Sequence, residues 1–151
     1  MRGMEINHMI AFHVPGEPVG KARPRVTLSG GRAHAYTPAK TAQYEQLVAV
    51  YAHAAMKNAP LLEHPVRVHL GIYCKVPGTW SKKKRTDALS GRERPAKKPD
   101  IDNVAKGIFD GMNGIVWVDD SQIVELVCAK YYALEPYVSV SVHDANIGKL
   151  I

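Results

Sequence analysis

The sequence is poor in cysteine and has no long apolar run. Of its 151 residues only Cys74 and Cys128 are cysteines, and no Cys-x-x-Cys pair occurs. We therefore expect two buried free thiols in a reducing cytoplasm, and neither a disulfide framework nor a zinc site. The longest apolar runs span only a few residues, whereas a membrane helix needs about 20. The histidines are scattered without the spacing of metal ligands, and the N-terminus lacks the apolar stretch of a secretory signal.

Acidic residues are scarce in two parts of the chain. The net charge is +6, but residues 75 to 98 hold nine lysines and arginines against two acids, so this segment carries +7 and the rest −1. A second basic patch follows Glu17 and contains Lys21, Arg23, Arg25 and Arg32. Such segments suit a polyanion such as nucleic acid. The alternative is a solvated, mobile loop that only aids solubility.

Hydrophobic periodicity predicts one small α/β (α+β) domain over residues 1 to 151. Strands are predicted at residues 8 to 14, 66 to 76, 123 to 132 and 137 to 143, with a loose hairpin at 23 to 28 and 32 to 37. Helices are predicted from Pro38 to about Asn58 and from about Ile101 to Met112. Residues 77 to 99 lack periodicity and are predicted to form a long basic loop. This order favours a mixed β-sheet flanked by two main helices.

Each predicted element has one apolar face. Thr37 is expected to cap the first helix, with Pro38 as its first helical residue. In the strand at 66 to 76, every even-numbered residue is apolar and is expected to point into the core. The apolar stripe of the first helix is expected at Tyr44, Leu47, Val48, Tyr51 and Ala55. That of the second helix is expected at Ile101, Val104, Ala105, Ile108 and Met112.

Aspartates cluster in and around the second helix. Asp102, Lys106 and Asp110 stand at i, i+4 and i+8, on the face opposite the apolar stripe. Asp100 stands at the start of the helix, and the strand after the helix is expected to return Asp120 close to it. One interpretation is a helix cap, an exposed ion-pair ladder and a turn. The other is a carboxylate site for magnesium, which neutralises charge and activates water in phosphodiester hydrolysis.

A calcium-binding EF-hand does not fit the same residues. Counted from Asp100, the fifth and sixth places of such a loop need an oxygen ligand and a glycine. Val104 and Ala105 occupy them here. No local motif supports Ser-His-Asp or Cys-His hydrolysis either.

The acidic motifs resemble those of the RusA family of Holliday junction resolvases, found in bacteria, prophages and phages. The matching stretches are D-I-D-N-V-x-K at 100 to 106, the Phe109-Asp110 pair, and W-V-D-D-S-Q-I at 117 to 123. The P-V-G-K-A-R-P-R stretch at 18 to 25 is also similar to phage and prophage members. Family members can have arginines before the first aspartate, where this chain has Lys97-Lys98-Pro99.

The resemblance implies a homodimeric, cytoplasmic nuclease that needs Mg²⁺, or Mn²⁺ in its place, and cuts four-way DNA junctions by paired nicks in recombination and repair. It implies that Asp100, Asp102 and Asp120 are catalytic carboxylates that bind the metal. It also implies that Lys106 is a catalytic or phosphate-contacting lysine. Asp110 is interpreted as structural or as a partner of Lys106, whereas the role of Asp119 stays open.

The basic residues are expected to bind the DNA backbone beside this acidic site. The expected phosphate contacts are Lys82, Lys83, Lys84, Arg85, Lys97 and Lys98, with Lys21, Arg23 and Arg25. Two other hypotheses remain open on the sequence alone. One is a nucleic-acid-binding module without catalysis, and the other is a metal nuclease that acts on other branched DNA or on RNA.

Overall fold

A computed structural model describes residues 10–22, 25–36 and 38–146, and of Arg25 and Tyr36 only the backbone. Its strands are β1 (Ile10–Pro15), β2 (Arg25–Ser29), β3 (Arg32–Tyr36), β4 (Val66–Lys75), β5 (Ile123–Ala133) and β6 (Tyr137–Asp144). Its helices are α1 (Ala39–Met56), α2 (Lys82–Leu89) and α3 (Ile101–Met112), with a short 3₁₀ turn at Asp120–Gln122 before β5. The predicted Thr37 cap lies outside the described residues.

The main sheet is mixed, as the order of elements predicted. Its strand order is β1-β6-β4-β5, and β2 and β3 form a separate hairpin. β4 runs parallel to β5 and antiparallel to β6. The even-numbered residues of β4 are buried as expected, and Val66, Val68 and Ile72 are fully enclosed. The mixed α+β class and the single small domain are therefore confirmed.

The parallel pairing of β4 with β5 brings the acidic motifs together. A parallel connection must cross back over the sheet, and here α2 and α3 form that crossover. Consequently the chain leaves α3 and enters the 3₁₀ turn at Asp120 beside the helix it has just completed. The bounds of α3, Ile101–Met112, agree with the prediction. Of its predicted apolar stripe, only Ile101 is exposed.

Two predictions about α1 were wrong. Pro38 is the residue before the helix, with an extended ψ of 143°, and not its first helical residue. The predicted stripe holds at Tyr44 and Val48 but fails at Tyr51, which is 37% exposed. The buried stripe continues instead through Ala52 and Met56. Leu47 and Ala55 of the predicted stripe are partly buried and pack against the core.

The basic segment is not the continuous loop that was predicted, because it contains α2. Ser81 caps this helix by accepting a hydrogen bond from the Lys84 backbone N at 3.2 Å. Only Ala88 of the helix is buried, so no apolar period marks it. Trp80 just before it meets Tyr132 of β5 edge-on, with ring centroids 5.2 Å apart. Helix-favouring side chains, one cap and the packing of Ala88 and Trp80 against the core account for α2.

Helices α1 and α3 approach closely because Gly111 has no side chain. A Cβ at Gly111 would lie 2.8 Å from the Val48 Cβ and 2.9 Å from the Glu45 carbonyl oxygen. This contact places Glu45 beside Asp110, one residue earlier in α3. Among the described helices, none is long and apolar enough to cross a membrane.

Candidate active site

The W-V-D-D-S-Q turn is a hydrogen-bonded unit that aims Asp120 at α3. Hydrogen bonds from the side chain of Ser121 and from its backbone N, the latter at 3.1 Å, lower the pKa of the Asp119 carboxylate below its ordinary value. The Gln122 side-chain oxygen accepts in return from the Asp119 backbone N at 3.1 Å. The Gln122 amide also donates to the Leu62 carbonyl at 2.8 Å. Asp119 is thus a capping residue of the turn.

Lys106 connects this turn to α3. Its ammonium nitrogen lies 2.9 Å from Oδ2 of Asp120 and 3.1 Å from Oδ1 of Asp110. Hydrogen bonds to Asp120 and to Asp110 raise the pKa of Lys106, so the ammonium stays charged at neutral pH. The interpretation of Asp110 as a partner of Lys106 agrees with this ion pair, whereas the expected approach of Asp120 to Asp100 stays a prediction.

Lys21 lies in ion pairs and does not extend into solvent. Its ammonium contacts Oε1 of Glu45 at 2.9 Å and forms a very short contact with Oδ2 of Asp110. Burial alone would lower the pKa of Lys21, but the hydrogen bonds to Asp110 and Glu45 outweigh it and raise the pKa. Because two carboxylates already neutralise this cation, the geometry does not favour the predicted phosphate contact of Lys21.

A cleft of about 650 Å³ lies beside the first turn of α3. Asp100 and Asp102 are exposed on one side of it. Its other lining residues are Arg94, Pro95, Ala96, Lys97, Lys98, Ile101, Cys128, Ala129 and Lys130. Acidic and basic side chains therefore share one open groove, the arrangement expected where a phosphate backbone meets carboxylates.

The basic wall of this cleft is attached to β5 by two hydrogen bonds and one cation–π contact. Arg94 donates from Nε to the Lys130 carbonyl at 2.9 Å, and its guanidinium lies 4.4 Å from the centre of the Tyr131 ring. The Lys130 ammonium donates to the Lys97 carbonyl in a very short hydrogen bond. The side chains of Lys97 and Lys98 stay exposed along the cleft.

The predicted metal ligands match magnesium in kind but are not gathered in one place. Over the described parts of the chain, no group of three or more His, Cys, Asp or Glu side chains is arranged to hold a metal ion. Asp100 and Asp102 face the cleft, whereas Asp120 is bound by Lys106 through Oδ2. Hard carboxylate oxygens of this kind are the donors that Mg²⁺ prefers.

The remaining predicted DNA contacts lie partly on α2 and partly outside the residues that the structure describes. Lys82, Lys83 and Lys84 are exposed on α2, and Arg85 is partly buried. Lys84 lies 4.1 Å from the centre of the Trp80 ring. Arg23 lies outside the described residues, and of Arg25 only the backbone is described.

Sequence reasoning missed several residues around the site. Glu45 is on α1 and Lys130 is inside β5, and neither belongs to a local motif. Arg94 was counted in the basic segment but not assigned a role. Only the pairing of distant segments, which no local pattern encodes, brings these three side chains to the site. Glu125, which the sequence left without a role, forms an ion pair with Arg67 at 2.6 Å.

Comparison with known proteins agrees with these features. A family model described as endodeoxyribonuclease RusA matches residues 15–143. The "uncharacterized protein YqaN" of Bacillus subtilis (strain 168) is 37% identical over 139 residues, which cover 91% of this chain and 97% of that relative. The family match extends from the end of β1 into β6 and includes both basic segments and the cleft. The chain therefore belongs to the RusA endodeoxyribonuclease family.

Proposed function

We propose that this protein is a metal-dependent endodeoxyribonuclease that resolves four-way DNA junctions by paired nicking. Membership of the RusA family supports a nuclease that acts on Holliday-junction DNA. The observation that carries metal-dependent paired nicking is the pairing of Lys106 with Asp120 next to a cleft lined by Asp100 and Asp102. A helix or turn needs no such cluster for its own stability, whereas phosphodiester hydrolysis needs both charges.

Each residue has a distinct part in this proposal. Asp100, Asp102 and Asp120 would hold Mg²⁺, or Mn²⁺ in its place, and the bound ion supplies charge neutralisation and an activated water. Lys106 binds the scissile phosphate and stabilises the charge that develops on it. Lys97 and Lys98, with the lysines of α2, hold the sugar-phosphate backbone along the cleft.

The proposal includes a homodimer, because two symmetric nicks require two sites related by a two-fold axis. β5 is an edge strand of the main sheet. Val124, Leu126 and Val127 near its start are 59%, 44% and 56% exposed. Further along, Arg94 covers the same edge by binding the Lys130 carbonyl. Exposed apolar edges are normally covered in native proteins, and a second copy paired antiparallel along this short stretch would cover this one.

The dimer is tested by two matched substitutions. Leu126→Lys should convert the protein to a monomer in sedimentation experiments. Val50→Lys, on an exposed apolar residue of α1 that is 63% accessible, should leave the dimer intact. The opposite pattern would place the interface on the helix, and a parent protein that stays monomeric at micromolar concentration would remove the dimer from the proposal.

The activity is tested by nicking of synthetic four-way, three-way and linear duplex DNA, with and without magnesium. The parent should nick the four-way junction only with the metal, and Asp102→Asn should abolish nicking while leaving junction binding intact or tighter. Glu135→Gln, which changes an exposed acid between β5 and β6, is the control and should behave as the parent.

Other outcomes of the same assay favour the other hypotheses. Binding of the junction without nicking in magnesium or manganese would support a module without catalysis. Preferential nicking of another branched substrate would change the target but keep the chemistry. Normal nicking by Asp102→Asn would refute the assigned carboxylates.

A further inference from the structure

We propose that Lys21 and Glu45 are positioning residues that act through Asp110 to hold the Lys106 ammonium beside Asp120. This inference rests on the proposed function, because it takes Lys106 as the group that meets the phosphate. It replaces the expectation that Lys21 contacts DNA. It also gives α1, which contributes no residue to the cleft, a part in the reaction.

The side chains form a row of alternating charge. From α1 outward the row is Glu45, Lys21, Asp110, Lys106 and Asp120. Asp110 is the central member, and it uses a different oxygen for each lysine. Oδ2 accepts from Lys21, and Oδ1 lies 3.1 Å from the Lys106 nitrogen. A carboxylate held between two cations has little freedom to rotate, so the position of Lys21 determines where Lys106 finds its partner.

Lys106 is the most exposed member of the row, and Asp120 beyond it is 21% exposed. The side chains of Asp110, Lys21 and Glu45 are 17%, 21% and 24% exposed. The Lys106 side chain is 56% exposed. An isolated, exposed i, i+4 ion pair is too weak to keep a lysine in one conformation. Because the ion pairs of Lys21 with Glu45 and Asp110 are better shielded from water than Lys106 is, they fix the Asp110 carboxylate that Lys106 contacts.

Lys21 is itself held in place by its backbone. Its N–H donates to the Asn103 carbonyl in the first turn of α3 at 3.0 Å. The next residue, Ala22, donates from its N–H to the hydroxyl of the buried Thr41 on α1 at 3.2 Å. The segment after β1 therefore bridges α1 and α3, and the ammonium of Lys21 is delivered to Asp110 by contacts that do not involve DNA.

Two simpler roles for Lys21 predict different results. As a phosphate contact, Lys21 would contribute to junction affinity and to its dependence on salt. As a purely structural residue, it would contribute to the free energy of unfolding and to nothing else. As a positioning residue, it should affect the nicking rate at saturating junction and the environment of Lys106, with junction affinity unchanged.

The test compares Lys21→Met, Lys21→Arg and the control Lys40→Met, which removes an exposed lysine of α1. Lys21→Met should lower the single-turnover nicking rate at saturating junction by about 10- to 100-fold, the usual effect of removing a residue that orients a functional group. Lys21→Arg should restore most of the rate, because it keeps a cation between the two carboxylates. Lys40→Met should match the parent.

Junction affinity separates positioning from phosphate contact. In Lys21→Met the dissociation constant and its salt dependence should stay at the parent values. A slope of log K against log salt whose magnitude decreases by about 0.9 would identify Lys21 as a phosphate contact and overturn the inference. The double variant Lys21→Met, Lys106→Met should nick no more slowly than Lys106→Met alone, and an additive loss would also overturn it.

A measurement without DNA or metal keeps this inference separate from the proposed function. The side-chain ammonium signal of Lys106 in an NMR spectrum should move to the position of a solvated lysine in Lys21→Met but not in Lys40→Met. An unchanged Lys106 signal would refute positioning, whatever the nuclease activity. Normal nicking by Lys106→Met, with the signal shift present, would instead refute the role of Lys106 in the proposed function. Glu45→Gln should shift the Lys106 signal less but in the same direction, and this variant replaces Lys21→Met in the test if Lys21→Met fails to fold.

Discussion

Alanine at Gly111 and alanine at Gly107 should change stability in opposite directions, although both glycines lie in α3. A Cβ at Gly107 would have the Lys21 Cβ as its nearest neighbour at 3.8 Å, an ordinary van der Waals distance. A Cβ at Gly111 would meet the Val48 Cβ at 2.8 Å and the Glu45 carbonyl oxygen at 2.9 Å. The second site cannot accept a methyl group unless α1 moves, because one of the clashing atoms is backbone.

The magnitudes follow from two opposing terms. Replacing glycine with alanine inside a helix stabilises it by about 1 kcal/mol. Inserting a methylene into a filled core costs roughly 1–3 kcal/mol. Gly107→Ala gains the first term alone and should raise the free energy of unfolding by up to about 1 kcal/mol. Gly111→Ala incurs the second term and gains less of the first near the helix end, so it should lower that free energy by about 1–2 kcal/mol.

The assay is thermal and urea unfolding of the parent and both variants under identical conditions. For a chain of this length, each kcal/mol corresponds to a change in Tm of roughly 2–4 °C. The two variants should therefore lie on opposite sides of the parent. Equal shifts of the same sign would show that α1 and α3 are not in the close contact that Gly111 permits.

Three further predictions concern the cleft, the thiols and α2. Replacing both Lys97 and Lys98 with glutamine should weaken junction binding and reduce its log–log salt slope by about 2, while Lys57→Gln leaves the slope unchanged. The expectation of two buried thiols holds for Cys74 but not for Cys128, which is partly buried and lines the cleft. Partial burial still raises the pKa of Cys128 to about 11, so alkylation of its thiol in the folded protein at pH 8 should be much slower than in urea. The folded state holds the Cys128 thiol proton more tightly than the unfolded state does. The protonated thiol therefore contributes fully to the free energy of unfolding below the ordinary thiol pKa, and this contribution is lost as pH rises toward 11. Ser81→Ala should lower the stability of α2 by about 1 kcal/mol, detected as faster amide exchange there.

The success of the sequence-based predictions depended on whether a regular apolar period was present. The alternating residues of β4 and the stripe of α3 each bury one face against the core, and their bounds were predicted closely. α2 was missed because a helix with one buried residue leaves no period to detect. In α1 the helix itself was predicted, but Tyr51 was assigned to the buried face and is 37% exposed, because helical spacing does not show which residues a neighbouring element covers.

The sequence by itself determined the mixed architecture, the location of the acidic motifs and the membership of a nuclease family, because periodicity and motif spacing are local properties. Only the tertiary structure decided which charges are neutralised. In the folded chain Lys21 forms ion pairs with Glu45 and Asp110, and Lys106 forms one with Asp120. These partners lie up to 89 residues apart in the sequence. The physical reason is that the energy of an ion pair depends on distance and on shielding from water, and both are set by the packing of α1, α3 and the 3₁₀ turn.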